Sequence, residues 1–172
     1  MRTDSLGDTN IFGDRVELRS VQQDDFELLF RWLNDPEVYR WWGGMPISAD
    51  VIQQKYLGLR RPQVGSYILE VTGIPIGYAQ SCQFDVDEGS VDLFLIPEMR
   101  RRGYGIDAAR TLIEYLTQVE GWKRVTVDPE QDNIPAQSFW RKLGFVETEQ
   151  ITSEGNLVLI LKGSPHQSSD SE

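Results

Sequence analysis

Two short stretches carry residues that could do chemistry. The first is Arg100-Arg101-Arg102-Gly103-Tyr104-Gly105, three cations followed by two glycines, with Ile106, Ala109, Ile113 and Leu116 next at helical spacing. The first N–H groups of a helix have no partner inside it, and the helix dipole makes that end positive. Glycines at 103 and 105 would let a ligand approach the backbone, and the arginines add charge, so the loop suits a diphosphate. An ordinary strand–loop–helix connection with a solvated basic run is the alternative. The second is Val91-Asp92-Leu93-Phe94-Leu95-Ile96, an apolar run interrupted by one carboxylate. Such a group is out of place unless its face is wet or functional. Asp92 is therefore a candidate general base, or else a strand-end aspartate still in solvent.

The elements that must position these residues follow from periodicity. Arg15 to Val21 alternates as a strand, and Phe26, Leu29, Phe30 and Leu33 form one helical stripe behind Asp24 and Asp25 as caps. A break at Asn34-Asp35-Pro36 precedes a short helical turn to Tyr39, and a further helix starts at Ser48 or Asp50 and reaches about Leu57. Strands over Tyr67–Val71 and Ile76–Phe84 flank Thr72-Gly73-Ile74-Pro75, and Ser90–Ile96 is a third. Helix Gly105–Val119, strand Arg124–Val127, helix Pro135–Leu143 and strands Phe145–Ile151 and Leu157–Leu161 complete the order βαα-βββ-αβ-αββ. This is an α/β (α+β mixed) chain, with a central mixed six- or seven-stranded sheet flanked by about four helices. Residues 14–162 form one domain; 1–13 and 163–172 read as disordered ends.

Composition removes several classes of function. The 172 residues carry 27 acidic and 17 basic side chains, a net charge of −10, which argues against nucleic acid and is compatible either with a cationic small-molecule substrate or simply with an acidic surface that serves solubility. No apolar run approaches the roughly 20 residues of a membrane span, and the start has no signal-peptide core, so a cytoplasmic protein is expected. With one cysteine, Cys82, and one histidine, His166 in the polar tail, neither a Cys/His metal site nor an activated thiol is expected, and no metal is assigned. The Gly103-Tyr104-Gly105 loop has Ala108 where a dinucleotide fingerprint wants a third glycine, and a phosphate-loop lysine is absent.

Arg100-Arg101-Arg102-Gly103-Tyr104-Gly105 resembles the (Q/R)-x-x-G-x-(G/A) acetyl-CoA motif of the GNAT N-acetyltransferases. Asn133-Ile134-Pro135-Ala136, with Trp140-Arg141-Lys142-Leu143-Gly144-Phe145, is similar to that family's downstream N-x-x-A-x-x-x-Y-E-K-x-G-F block. The likeness covers residues 15–162. Within the family, Trp41-Trp42-Gly43-Gly44, Pro75-Ile76-Gly77-Tyr78-Ala79-Gln80-Ser81 and Thr126-Val127-Asp128-Pro129 look like aminoglycoside 6′-N-acetyltransferases.

The resemblance implies acetyl-CoA as cosubstrate and direct transfer to a primary amine. It implies cofactor contacts at Phe94, Leu95, Ile96, Arg100, Arg101, Arg102, Gly103, Tyr104, Gly105 and Asn133. It implies Asp92 as base, with Asp128 and Gln80 facing the amine substrate. Trp41 and Trp42 would stack on sugar rings or serve as core and lid. Asp85 and Asp87, with Glu88, would line the same cleft or form a solvated turn. The chain departs from the block at Trp140, where the family carries a tyrosine that protonates the departing thiolate; an indole cannot do that, and water or Tyr104 is left to help. A siderophore hydroxylysine, a polyamine or a protein N-terminus remains open as the acceptor, and so does a non-catalytic CoA-binding regulatory domain.

Overall fold

The computed structural model describes residues 10–161. The segments 1–9 and 162–172, with His166, lie outside them, and so do the disordered ends that the sequence suggests there.

One eight-stranded sheet runs through the described residues in the order β1 (Ile11–Phe12), β2 (Glu17–Ser20), β3 (Val64–Val71), β4 (Ile74–Asp85), β5 (Glu88–Leu95), β6 (Arg124–Val127), β8 (Leu157–Leu161), β7 (Phe145–Ile151). Neighbours are antiparallel except β5 and β6, which are parallel. The sequence suggests at most seven strands. The eighth is β1, inside the segment expected to be loose, where Ile11 and Phe12 pair with Leu18 and Glu17. An aspartate holds this end: Asp107, buried in the long helix, accepts the backbone N–H groups of Asp14, Arg15 and Val16 at 3.1, 2.8 and 2.8 Å.

Among the described residues five α-helices, α1 (Phe26–Leu33), α2 (Pro36–Tyr39), α3 (Ala49–Lys55), α4 (Tyr104–Gln118) and α5 (Ile134–Lys142), cover the two faces. The α1 stripe differs from the expected one. Leu29, Trp32 and Leu33 are buried, while Phe30 is exposed and stacks on Phe26. The Asp25 side chain does not cap α1; it closes the capping box of the short 3-10 turn Gln23–Asp25 that precedes it. Its carboxylate accepts from Arg19 at 2.9 and 3.0 Å and from the Gln22 N–H at 2.7 Å. Thr72 and Gly73 turn β3 into β4 with φ of 49° and 77°, and Ile74 and Pro75 already belong to β4.

Two apolar layers sandwich the sheet. Val16, Leu18, Leu69, Ala79, Val91 and Leu95 pack under α4 and α5, together with Ala108, Leu112, Leu116 and Trp140. On the opposite face Ile68, Tyr78 and Phe94 meet Leu29, Trp42, Ile52 and Tyr56 from α1–α3 and the loop after α2. Period-two alternation along β5 therefore sends Asp92 and Phe94 to the α1–α3 face and Val91, Leu93 and Leu95 to the α4 face.

Candidate active site

The sheet opens at its one parallel pair. β5 and β6 share only Glu88↔Arg124, Gly89↔Val125 and Ser90↔Thr126. Beyond Ser90, β5 continues to Leu95 beside β4 alone, while β6 ends at Val127 and is drawn along β8 through Thr126↔Ile160 and Val127↔Leu159. The backbone of residues 91–95 is left without a strand on its β6 side, a ready edge for an extended amide-bearing ligand. A cleft of about 1530 Å³ fills the gap, bordered by β5, the loop from Trp41 to Ser48, the β6–α5 connection and the turn before β8. That exceeds the usual single-ligand pocket of about 300–1000 Å³ and suits two substrates side by side.

Asp92 and Asp128 both line this cleft. Burial pushes the Asp92 carboxyl up to about 7, with the neighbouring Asp128 charge adding to it and a 3.0 Å hydrogen bond from the Leu93 N–H opposing it. Part of Asp92 remains open to the cleft, so the group is both desolvated and reachable. Asp128 is more open, yet the protein walls around it still raise its carboxyl, and Glu154 across the cleft adds a like charge. Glu154 is held in the opposite direction, lowered by hydrogen bonds from its own N–H, Ser153 and Thr152. The three together make a cation-seeking wall in which one carboxyl sits near neutrality.

The arginine–glycine loop sits at the other end of the cleft. Gly103 adopts φ +82° immediately before α4, and a Cβ there would come within 2.6 Å of the Arg15 Nη2. No side chain caps α4, so its first-turn N–H groups remain available for an anion. The arginines divide. Arg101 is exposed at the cleft and has no side-chain partner among the described residues. Arg100 does not present its guanidinium to a phosphate as expected. It donates to the Leu95 carbonyl at 3.0 Å and the Glu37 carbonyl at 2.8 Å, tying the end of β5 to α2. Arg102 and Tyr104 do not line the cleft: the Arg102 carbonyl accepts from Arg15, whose guanidinium lies 4.7 Å over the Tyr104 ring. Tyr104 is thus badly placed to protonate a thiolate in the cleft. Phe94, Leu95, Gly105 and Asn133 do border it. Ile96 is not among the lining residues; it packs on the α1–α3 layer. The Asn133 Oδ1 also caps α5 by accepting the Ala136 N–H at 3.2 Å.

The paired tryptophans separate as well. Trp41 is half-buried at the cleft with Arg40 stacked 5.1 Å above its ring. Trp42 touches the cleft but is mainly a core residue: its Nε1 donates to the Tyr56 hydroxyl at 2.8 Å and its ring meets Tyr78 and Phe94 edge-on. Gln80 faces the cleft, directly across the strand pair from Asp92. Asp85 and Asp87 do not line it. Asp85 closes the tip of the β4–β5 hairpin on the Val86 N–H, and Asp87 pairs with Lys123 at 3.3 Å, because the hairpin tip lies at the closed end of the β5–β6 pair. Glu88 is likewise paired, with Arg124 at 3.1 Å. Trp140 is 5% exposed and packs edge-on against Phe139 and Phe145. Cys82 is half-buried on β4, outside the cleft.

Tyr56, Lys142 and Glu154 also line the cleft without having been singled out by the sequence. Nothing in their local patterns separates them from an ordinary helix end, a basic helix tail and a turn. Among the described residues no helix is long and apolar enough to cross a membrane.

The Acetyltransferase (GNAT) domain model matches residues 15–146. Aminoglycoside N(6′)-acetyltransferases type 1 of Klebsiella pneumoniae and Serratia marcescens are each 32% identical over 158 residues, covering 81% of this chain and 78% of theirs. The solved structure of the aminoglycoside acetyltransferase AAC(6′)-Ib with ribostamycin and coenzyme A superposes with a TM-score of 0.80 at 27% identity, covering 92% of this chain and all of that one. A spermidine N-acetyltransferase of Vibrio cholerae shares the fold at 15% identity and a TM-score of 0.74, covering 85% of this chain and 93% of that one. With the opened parallel pair, the uncapped helix behind a glycine turn and these matches in hand, the chain belongs to the GNAT acetyltransferase family.

Proposed function

We propose that this enzyme transfers the acetyl group of acetyl-CoA to the 6′-amine of an aminoglycoside, a reaction that would confer resistance to the antibiotic. One observation carries the reading: a carboxyl poised near neutrality stands beside a second and third carboxylate in a cleft sized for two substrates. An amino sugar with several ammonium groups is the acceptor that such a wall attracts. Acetyl-CoA is a cytoplasmic metabolite, and we place the reaction there.

The residues present fit acetyl-CoA. The free edge of β5 at Phe94 and Leu95 offers main-chain partners for the pantetheine amides. The α4 N-terminus with Gly103 and Gly105, and Arg101 beside it, suits the diphosphate. Asn133 and Lys142 also line the cleft. Arg100 acts indirectly, by holding Leu95 in place.

An alkylamine arrives protonated, with a pKa of about 10. Asp92 takes one proton, and the nitrogen then attacks the thioester carbonyl. The tetrahedral intermediate collapses as the C–S bond breaks, the electron pair leaves on sulfur, and the second ammonium proton passes from nitrogen to water. A thiol pKa of about 8.5 makes that a competent leaving group without an acid, so the absence of a tyrosine at Trp140 is tolerable. Asp128 and Glu154 hold neighbouring ammonium groups, Gln80 and Trp41 border the sugar, and no acyl-enzyme forms.

Thiol release from acetyl-CoA, measured with kanamycin, tobramycin, spermidine and hydroxylysine in parallel, tests this. Turnover is expected on the two antibiotics. Turnover on spermidine or hydroxylysine alone overturns the aminoglycoside assignment, and CoA binding without turnover on any amine overturns catalysis.

A further inference from the structure

Ser66, Gln80 and Asp92 form one cross-strand row over β3, β4 and β5, all on the α1–α3 face. In the next row Tyr78, fully buried and stacked on Phe94, leans its hydroxyl back between the first two. The Tyr78 Oη lies 3.1 Å from the Ser66 Oγ and 3.2 Å from the Gln80 Oε1. That hydroxyl has one proton for two oxygens. Ser66 is 1% exposed, and its side chain has no other hydrogen-bond partner among the described residues. Were Tyr78 to donate to Ser66, the serine's own proton would be stranded in a buried site, which is costly. The satisfied order is therefore Ser66 Oγ–H to Tyr78 Oη, and Tyr78 Oη–H to Gln80 Oε1. Burial holds the Tyr78 phenol above its ordinary range, so it keeps the proton this order needs. The Gln80 carbonyl is used up inside the protein, and its NH₂ is left at the cleft with no partner among the described residues.

We propose that Tyr78 and Ser66 are positioning residues that fix the Gln80 amide with its NH₂ facing the substrate, so that the site reads an oxygen acceptor next to the amine Asp92 deprotonates. The proposal rests on the amino-sugar reading and deepens it. Directly paired side chains on neighbouring strands start about 4.5–5.5 Å apart at Cβ. A carboxylate and an amide donor so placed match an amine and an ether or hydroxyl oxygen a few bonds away on one sugar ring. An amide NH₂ has nothing to accept a second ammonium, so a plain polyamine satisfies Asp92 and leaves Gln80 unmatched.

The test compares kcat and KM of the full-length wild-type protein, Tyr78→Phe and Gln80→Leu on an aminoglycoside and on two analogues, one with CH₂ for the ring oxygen beside the 6′-amine and one lacking the adjacent hydroxyl. Wild type is expected to lose about tenfold in kcat/KM, mainly through KM, on one analogue. Tyr78→Phe keeps the ring stacking and removes only the hydroxyl. It is expected to bring that ratio close to one, as Gln80→Leu does, by lowering kcat/KM on the parent aminoglycoside about tenfold. A merely structural role for the hydroxyl would lower both substrates alike. A ratio intact in Tyr78→Phe but lost in Gln80→Leu overturns the positioning chain while leaving amino-sugar acetylation standing. Equal wild-type rates on all three compounds overturn the oxygen readout. No wild-type turnover on the parent aminoglycoside overturns the functional reading and this inference with it.

Discussion

Asp92 and Asp128 each lie two residues beyond the last paired position, Ser90↔Thr126, of the parallel strands β5 and β6. Because side chains alternate with period two, both carboxylates leave the same face of the sheet at the point where the strands part. The opening of the sheet and the juxtaposition of two acids are thus one geometric event, and it raises the carboxyl of Asp92, the base of the proposed reaction.

Replacing Asp92 with Asn should lower kcat by at least about a hundredfold, the usual contribution of a positioned base, while leaving CoA affinity within about twofold. Thiol-release kinetics and calorimetry with CoA check the two halves separately. A wild-type kcat in the variant removes Asp92 as base.

Asp92 must be ionised to accept a proton, so wild-type kcat/KM should rise with pH through about 7. The Asp128 charge contributes to that elevation. Asp128→Asn should move the acid limb to lower pH and raise KM for a polycationic amine. An unmoved limb would show that the two carboxyls are not coupled.

The same elevation has a stability sign. A carboxyl whose folded pKa lies above its unfolded value binds more protons when folded, so raising the pH from about 4 to about 7 weakens the fold. Asp92→Asn removes this term. Its melting temperature should exceed that of wild type at pH 8 and match it near pH 4; equal melting at both values would contradict the burial assigned to Asp92.

Asp107 accepts three backbone N–H groups from the segment between β1 and β2. Asp107→Ala leaves those donors without a charged acceptor and should cost about 2–4 kcal/mol in urea unfolding. The loss should appear as a lower midpoint with kcat near wild type in the folded fraction.

Asp85 at the hairpin tip is remote from the opened strands. Asp85→Asn should leave kcat and KM within about twofold of wild type, in contrast to Asp128→Asn. A large rise in KM would place the hairpin tip in the substrate path.

What the sequence determined by itself are the features whose signal is local. A lone carboxylate in an apolar run marks Asp92, two glycines behind arginines mark the start of α4, and alternating or 3.6-period apolar residues mark seven strands and the principal helices. What only the tertiary structure decided depends on where neighbouring strands stop pairing. Asp128 is marked only by the resemblance of Thr126-Val127-Asp128-Pro129, and nothing in local charge or pattern distinguishes Glu154 at the cleft from Asp85 at the closed end of β5–β6. The role of Arg100 turns on carbonyls of two other elements, and β1 is a strand because Asp107, some ninety residues away, holds the chain beside it. Charge and hydrogen-bonding capacity are written in each residue; which water they lose, and which partner they gain, is set by the packing that brings distant segments together.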